Sequence, residues 1–157
     1  MYIDAQVEFA TKTIPGLQEP QARSLLQEAY RRNSTVVIGG SRVRASFGQG
    51  TFKPDSDLDV GFGSLSIGQA ARIIQRVSAM GPLCLETTRI VPGNQTASIP
   101  TIQSPEEFFQ RSGIRSARDP LAGQPYTPSG SYTFHPDGSI TVYPPGGVPT
   151  LMPAGSY

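Results

Sequence analysis

Two aspartates one residue apart, Asp57 and Asp59, open the segment DLDVGF, in which acids alternate with Leu58, Val60 and Phe62. Period two is the signature of a strand, and residues i and i+2 of a strand share a face, roughly 6 to 7 Å apart at a rise of about 3.3 Å per residue. Carboxylates held that close repel each other. A divalent cation between them, Mg²⁺ or Mn²⁺, removes the repulsion and keeps positions for water and phosphate oxygens. On a solvated face the same acids would merely be exposed, and the pair alone does not choose between these readings. Upstream, TVVIGG ends in Gly39 and Gly40 before Ser41. Glycines let backbone N–H groups approach a phosphate closely, and the Ser41 hydroxyl can donate to the same oxygens; two glycines also simply end strands in tight turns. The segment lacks the Gly-Lys-Ser/Thr of a P-loop and the GxGxxG of a dinucleotide fingerprint. Arg42 and Arg44 follow at alternate positions, suited either to pairing with a phosphate or to a solvated surface.

Such residues need elements to hold them. Residues 20–32, PQARSLLQEAYRR, put Ala22, Leu25, Leu26 and Ala29 on one stripe behind a first-turn Pro, which predicts a helix. TVVIGG, a short run rich in β-branched residues, predicts a strand buried on both faces. The stretch RVRASFGQGTFKPDS reads as a polar, glycine-bearing connection to the DLDVGF strand. Ser66 as N-cap, an apolar face of Ile67, Ala70, Ala71, Ile73, Ile74 and Val77, and Gly81-Pro82 as the stop predict a second helix. LCLETTRIV at 83–91 predicts a third strand, with Cys84, Glu86, Thr88 and Ile90 on one face. The order helix, strand, strand, helix, strand gives an α/β (α+β) core with a mixed sheet flanked by helices.

Composition changes near residue 92: of 15 prolines four precede it and eleven follow. Residues 1–100 are therefore expected to form the core, and residues 101–157 a Pro/Gly-rich C-terminal extension that docks on or extends it. Within the extension, Ser104, Pro105 and Glu107 of SPEEFF form a capping box for a short helix. SYTFHPDGSITVYP at 131–144 predicts a hairpin turning at Pro136, Asp137 and Gly138.

The whole chain, 157 residues with 17 Gly, 15 Pro and 16% charged residues, is sized for one core and excludes a coiled coil or helical bundle. A net charge of +1 gives no broad field for nucleic acid or an anionic membrane, so a polyanion must be gripped by a local cluster. Cationic residues are eleven Arg to two Lys, and Arg carries the planar fork that fits phosphate and carboxylate. The single Cys84 and single His135 exclude a disulfide framework, a thiolate zinc site and a His-rich metal cage within the chain. No apolar run approaches 18 residues and the N-terminus is acidic, which predicts no membrane insertion and no leader.

Taken together, GGSRVR followed by PDSDLDVGF resembles the active-site signature of the nucleotidyltransferase superfamily, the fold shared by polymerase β, CCA-adding enzymes and small antibiotic nucleotidyltransferases. The resemblance covers about residues 35 to 91. It implies that Gly39, Gly40 and Ser41 contact the triphosphate of an NTP donor, and that Asp57 and Asp59 ligate two Mg²⁺ (or Mn²⁺) ions. Glu86, the one acid between Asp59 and Glu106, is the candidate third carboxylate, where the family usually has Asp. Fifteen residues separate Ser41 from Asp57, an enlargement over the family that falls in SFGQGTFK. The implied reaction is a two-metal in-line transfer of a nucleoside monophosphate to an acceptor hydroxyl, with Arg42 or Arg44 steadying phosphate charge.

The core followed by SPEEFFQRSG and SGSYTFHPDGSITVYPPGG also resembles C-terminal toxin modules of bacterial polymorphic toxin systems. That likeness implies release from a larger secreted carrier, action in a recipient cytoplasm on tRNA or a protein, and a cognate immunity protein. The alternative reading is a non-catalytic nucleotide-binding or interaction module. Three lesser features each have two readings. Tyr126, Tyr132, Phe134 and Tyr143 suit a base-stacking platform or the packing of a small sheet. His135 suits a turn or a general base. Arg111, Arg115 and Arg118 suit an anionic-acceptor patch or a solvated helix face.

Overall fold

A computed structural model describes residues 2–63, 65, 67–91, 95–98 and 130–157. Its elements run α1 (Tyr2–Thr13), α2 (Glu19–Arg31), β1 (Val36–Gly39), α3 (Ser41–Ser46), β2 (Leu58–Phe62), α4 (Ile67–Ser78), β3 (Leu85–Val91), β4 (Gln95–Ser98), β5 (Ser131–Phe134), β6 (Ile140–Tyr143) and β7 (Thr150–Met152). The class is α+β. The described strands form one seven-stranded sheet in the order β4-β3-β2-β1-β5-β6-β7. It is mixed: β2 and β3 run parallel, as their crossover through α4 requires, and the other described pairs are antiparallel.

Alternation decides which face packs. Register places Val36 beside Phe62 and Phe134, Ile38 beside Val60 and Tyr132, Leu58 beside Leu85, and Phe134 beside Ile140. These residues are all buried, and they join Val7 and Ala10 of α1, Leu25 and Leu26 of α2, and Ile73 and Val77 of α4 in one apolar cluster. Residues at i and i+2 of a strand lie on one face, so the sheet has a core face carrying these side chains and a second face carrying Val37, Asp59 and Thr133.

The two helices, the three strands and the hairpin stand where their patterns put them. In the hairpin turn Asp137 Oδ1 accepts from Ser139 N at 2.9 Å and Ser139 Oγ at 2.6 Å, which fixes the chain reversal. β5 pairs directly with β1, so the segment beyond residue 130 extends the sheet from its central strand.

Two helices were not expected. Ile3, Val7 and Ala10 of α1, with Ile14 just past its end, recur at helical spacing, but fully buried Gln6 interrupts the apolar run. Its Nε2 donates to the carbonyls of His135 at 3.0 Å and Ser139 at 3.1 Å, and its Oε1 accepts from Tyr30 Oη at 2.7 Å. A polar side chain in the core is thereby satisfied, and α1 is tied to both α2 and the hairpin. The other is α3, in place of the expected connection after Ser41. Ser66, the segment SPEEFF at 104–109, Arg111, Arg115, Arg118 and Tyr126 lie outside the described residues.

Candidate functional site

β1 leaves the sheet at Gly39 and turns at Gly40, which precedes α3 with φ +96° and ψ −172°. Only glycine adopts that backbone region readily. A β-carbon at position 40 would also collide with the Asp59 carboxylate. The turn backbone therefore lies directly against that acid, and a strand end far from Asp59 in sequence becomes its wall.

Register completes the neighbourhood. Gly39 is the partner of Asp59 across β1, and Glu86 is its partner across β3. Leu58, Val60 and Phe62 take the core side of β2, so half-buried Asp59 stands on the second face, with exposed Asp57 just ahead of the strand. Gly61, two residues along from Asp59, shares that face and has no side chain. Glycine across the ladder and glycine along the strand surround this carboxylate with backbone on two sides. Sequence reasoning passed over Gly61, although its place two residues beyond an acid on a period-two strand was visible.

The expectation for Arg42 is corrected. On an extended chain Arg42 and Arg44 would share a face, but on α3 residues two apart point in nearly opposite directions. Arg42 is buried, with 6% exposure. Its Nε donates to Ser56 O at 2.7 Å, its Nη1 to Pro15 O at 3.0 Å and its Nη2 to Pro54 O at 2.6 Å. The guanidinium also sits 4.8 Å from the centre of the Phe52 ring. Arg42 is thus a strap that fixes the chain leading into Asp57. Arg44 is exposed, and its Cγ lies where a β-carbon on Gly130 would approach to 2.8 Å, so its stem crosses the start of β5. Ser41 is half-buried at the first position of α3.

The aromatic residues of the hairpin pack the sheet. Tyr132 stacks on Phe47 with centroids 5.1 Å apart and meets the edge of Phe9 at 5.4 Å, while Phe134 is fully buried. Burial raises the pKa of Tyr132, which keeps its hydroxyl protonated beside Ser46 Oγ at 3.5 Å. His135 begins the turn with Nε2 2.8 Å from Thr141 Oγ1, and burial lowers its pKa.

Among the described residues no cluster of three His, Cys, Asp or Glu side chains is assembled for a metal. Asp57 and Asp59 offer an all-oxygen pair of the kind that hard cations such as Mg²⁺ accept, and Glu86 is the register partner of Asp59 on β3. No protein-family model, curated protein or solved structure matches this chain, which leaves its function to be inferred from these residues.

Proposed function

We propose that this chain is a nucleotidyltransferase that moves a nucleoside monophosphate from an NTP to an acceptor hydroxyl. One observation carries the reading: the Gly40 turn lies against the Asp59 carboxylate. A backbone suited to a triphosphate and a strand suited to a divalent cation share one end of β1 and β2, with Glu86 in register beside Asp59.

Asp57, Asp59 and Glu86 would hold Mg²⁺ or Mn²⁺, which when bound would neutralise triphosphate charge and acidify the acceptor hydroxyl. The bare backbone at Gly39 and Gly40 lets the phosphates approach, and the Ser41 hydroxyl donates to a phosphate oxygen. Arg44, exposed on α3, supplies a cation to the same group. Arg42 keeps the chain ahead of Asp57 in place and does not touch substrate. The acceptor oxygen forms a bond to the α-phosphorus while the bond from that phosphorus to the bridging oxygen breaks. Pyrophosphate leaves with the electron pair, and the acceptor proton passes to Glu86 or to water. The acceptor is a tRNA or a protein, and as a toxin module the chain would meet a cognate immunity protein.

The test is incubation of the purified protein with each of four α-labelled NTPs, Mg²⁺ and total cell extract, alongside Asp57→Ala. Label on RNA or protein that disappears with Asp57→Ala is the expected result. Mg²⁺-dependent thermal stabilisation by NTP without transfer would point instead to the binding-module reading, and Asp59→Asn should abolish that stabilisation in either case.

A further inference from the structure

Away from the Gly40 turn, the last turn of α2 meets the outer side of α4. α2 ends where the chain enters β1, so this region belongs to the opposite end of β1 from Gly39. A cavity of about 250 Å³ lies here, lined by Glu28, Arg32, Gln69, Arg72, Ile73 and Arg76. Glu28 Oε1 lies 3.0 Å from Arg31 Nη1 and 3.4 Å from Arg76 Nη1, and its Oε2 lies 3.0 Å from Arg32 Nη1. Glu28 is buried, and the hydrogen bond from Arg32 leads in holding its carboxyl below the usual range.

The charges do not balance locally. Among the described residues three arginines, Arg31, Arg32 and Arg76, converge on the Glu28 carboxylate and a fourth, Arg72, lines the same cavity, in a chain whose net charge is only +1. Arg31 and Arg32 are favoured by the C-terminal end of the α2 dipole. Arg76, in the last turn of α4, is favoured in the same way, but Arg72 is not so explained: it repeats the charge of Arg76 at i and i+4, a spacing at which like charges repel. Among the described residues Ile73 is the only apolar one lining the cavity, so a protein partner would find little hydrophobic anchor. Guanidinium forks set side by side match successive phosphates instead.

We propose that the Arg31, Arg32, Arg72 and Arg76 cluster between α2 and α4 is a docking groove for the phosphate backbone of single-stranded RNA. Glu28 orients three of the guanidinium groups, and Arg72 extends the row along α4. The site requires neither NTP nor metal, so it stands apart from the transfer reading.

The test is fluorescence anisotropy of the intact protein with a fluorescein-labelled 20-nucleotide RNA in EDTA, across a salt series. Three to four phosphate contacts give a slope of log affinity against log salt of about −2 to −3. Arg72→Gln and Arg76→Gln should each weaken binding by about 5- to 10-fold and make the slope shallower by about 0.7. Lys12→Gln, at an exposed position of α1, should leave both unchanged, and melting temperatures of all variants should show them folded. Wild-type affinity and slope in the Arg72→Gln, Arg76→Gln double variant would overturn the proposal. So would absence of RNA binding, including the case in which inorganic phosphate binds at the same arginines. Because the measurement contains no NTP and no Mg²⁺, retention of binding in Asp59→Asn separates its outcome from that of the transferase test.

Discussion

At the scale of single residues, the candidate site depends on two side chains of opposite kinds, one absent and one buried. Gly40→Ala forces a β-carbon into the Asp59 carboxylate and a non-glycine residue into φ +96°. Its expected effects are a stability loss of about 1 to 3 kcal/mol in a denaturant titration and loss of label transfer. Arg42→Met removes donors from three backbone carbonyls inside the protein. That change should cost about 2 to 4 kcal/mol and speed proteolytic cleavage between residues 48 and 56. Transfer should fall at least about tenfold in kcat with the KM for NTP nearly unchanged, the pattern of a residue that positions others. Sequence could not separate Arg42 from Arg44, because both are arginines beside a glycine turn. Only the helical path of α3 sends one inward and leaves the other outside.

At the scale of elements, acid should loosen the hairpin before the helices. Burial lowers the pKa of His135, so the unfolded chain takes up a proton more readily than the folded one. The stability this contributes is complete above the ordinary histidine value of about 6.5 and declines as pH falls below it. Glu28, lowered first by Arg32, is lost in the same direction further down, as pH falls below its ordinary value of about 4.3. Melting temperature followed from pH 8 to pH 3 should therefore fall in two stages. His135→Gln should remove the upper stage and spare the lower. Elements with a clean period were legible: the stripe of α2, the alternation of β2 and the Pro-Asp-Gly turn each announce themselves. α1 was not, because Gln6 breaks its apolar pattern and finds its three partners only through the fold. The juxtaposition of Gly40 and Asp59 was legible as a pair of motifs, whereas their contact follows from the antiparallel register of β1 and β2.

At the scale of the whole molecule, the sheet joins stretches that composition sets apart. β1, the strand that ends in the glycine turn, has β2 on one side and β5 on the other. Tyr132, Phe134 and Ile140 belong to the same buried cluster as the helices. Residues 1–100 expressed alone are therefore expected to lack a cooperative melting transition, while the intact chain unfolds in a single calorimetric step. Recovery of a folded 1–100 fragment that transfers label would refute this.

The pairing of β1 with β5 also orders events during synthesis. Val36 finds its β5 partner only in Phe134, so a ribosome that has already made Gly40, Asp57 and Asp59 still carries a chain whose central strand has an open edge. Pairings between residues so distant along the chain form late, because the intervening loop must close before the contact rewards it. The acids and the glycine turn are translated early, but the sheet that holds them gains its β5 side only after residues 131–134 emerge. A product cut short before that point would carry every proposed reactive residue on a sheet whose central strand lacks its β5 neighbour, and it is expected to show no label transfer.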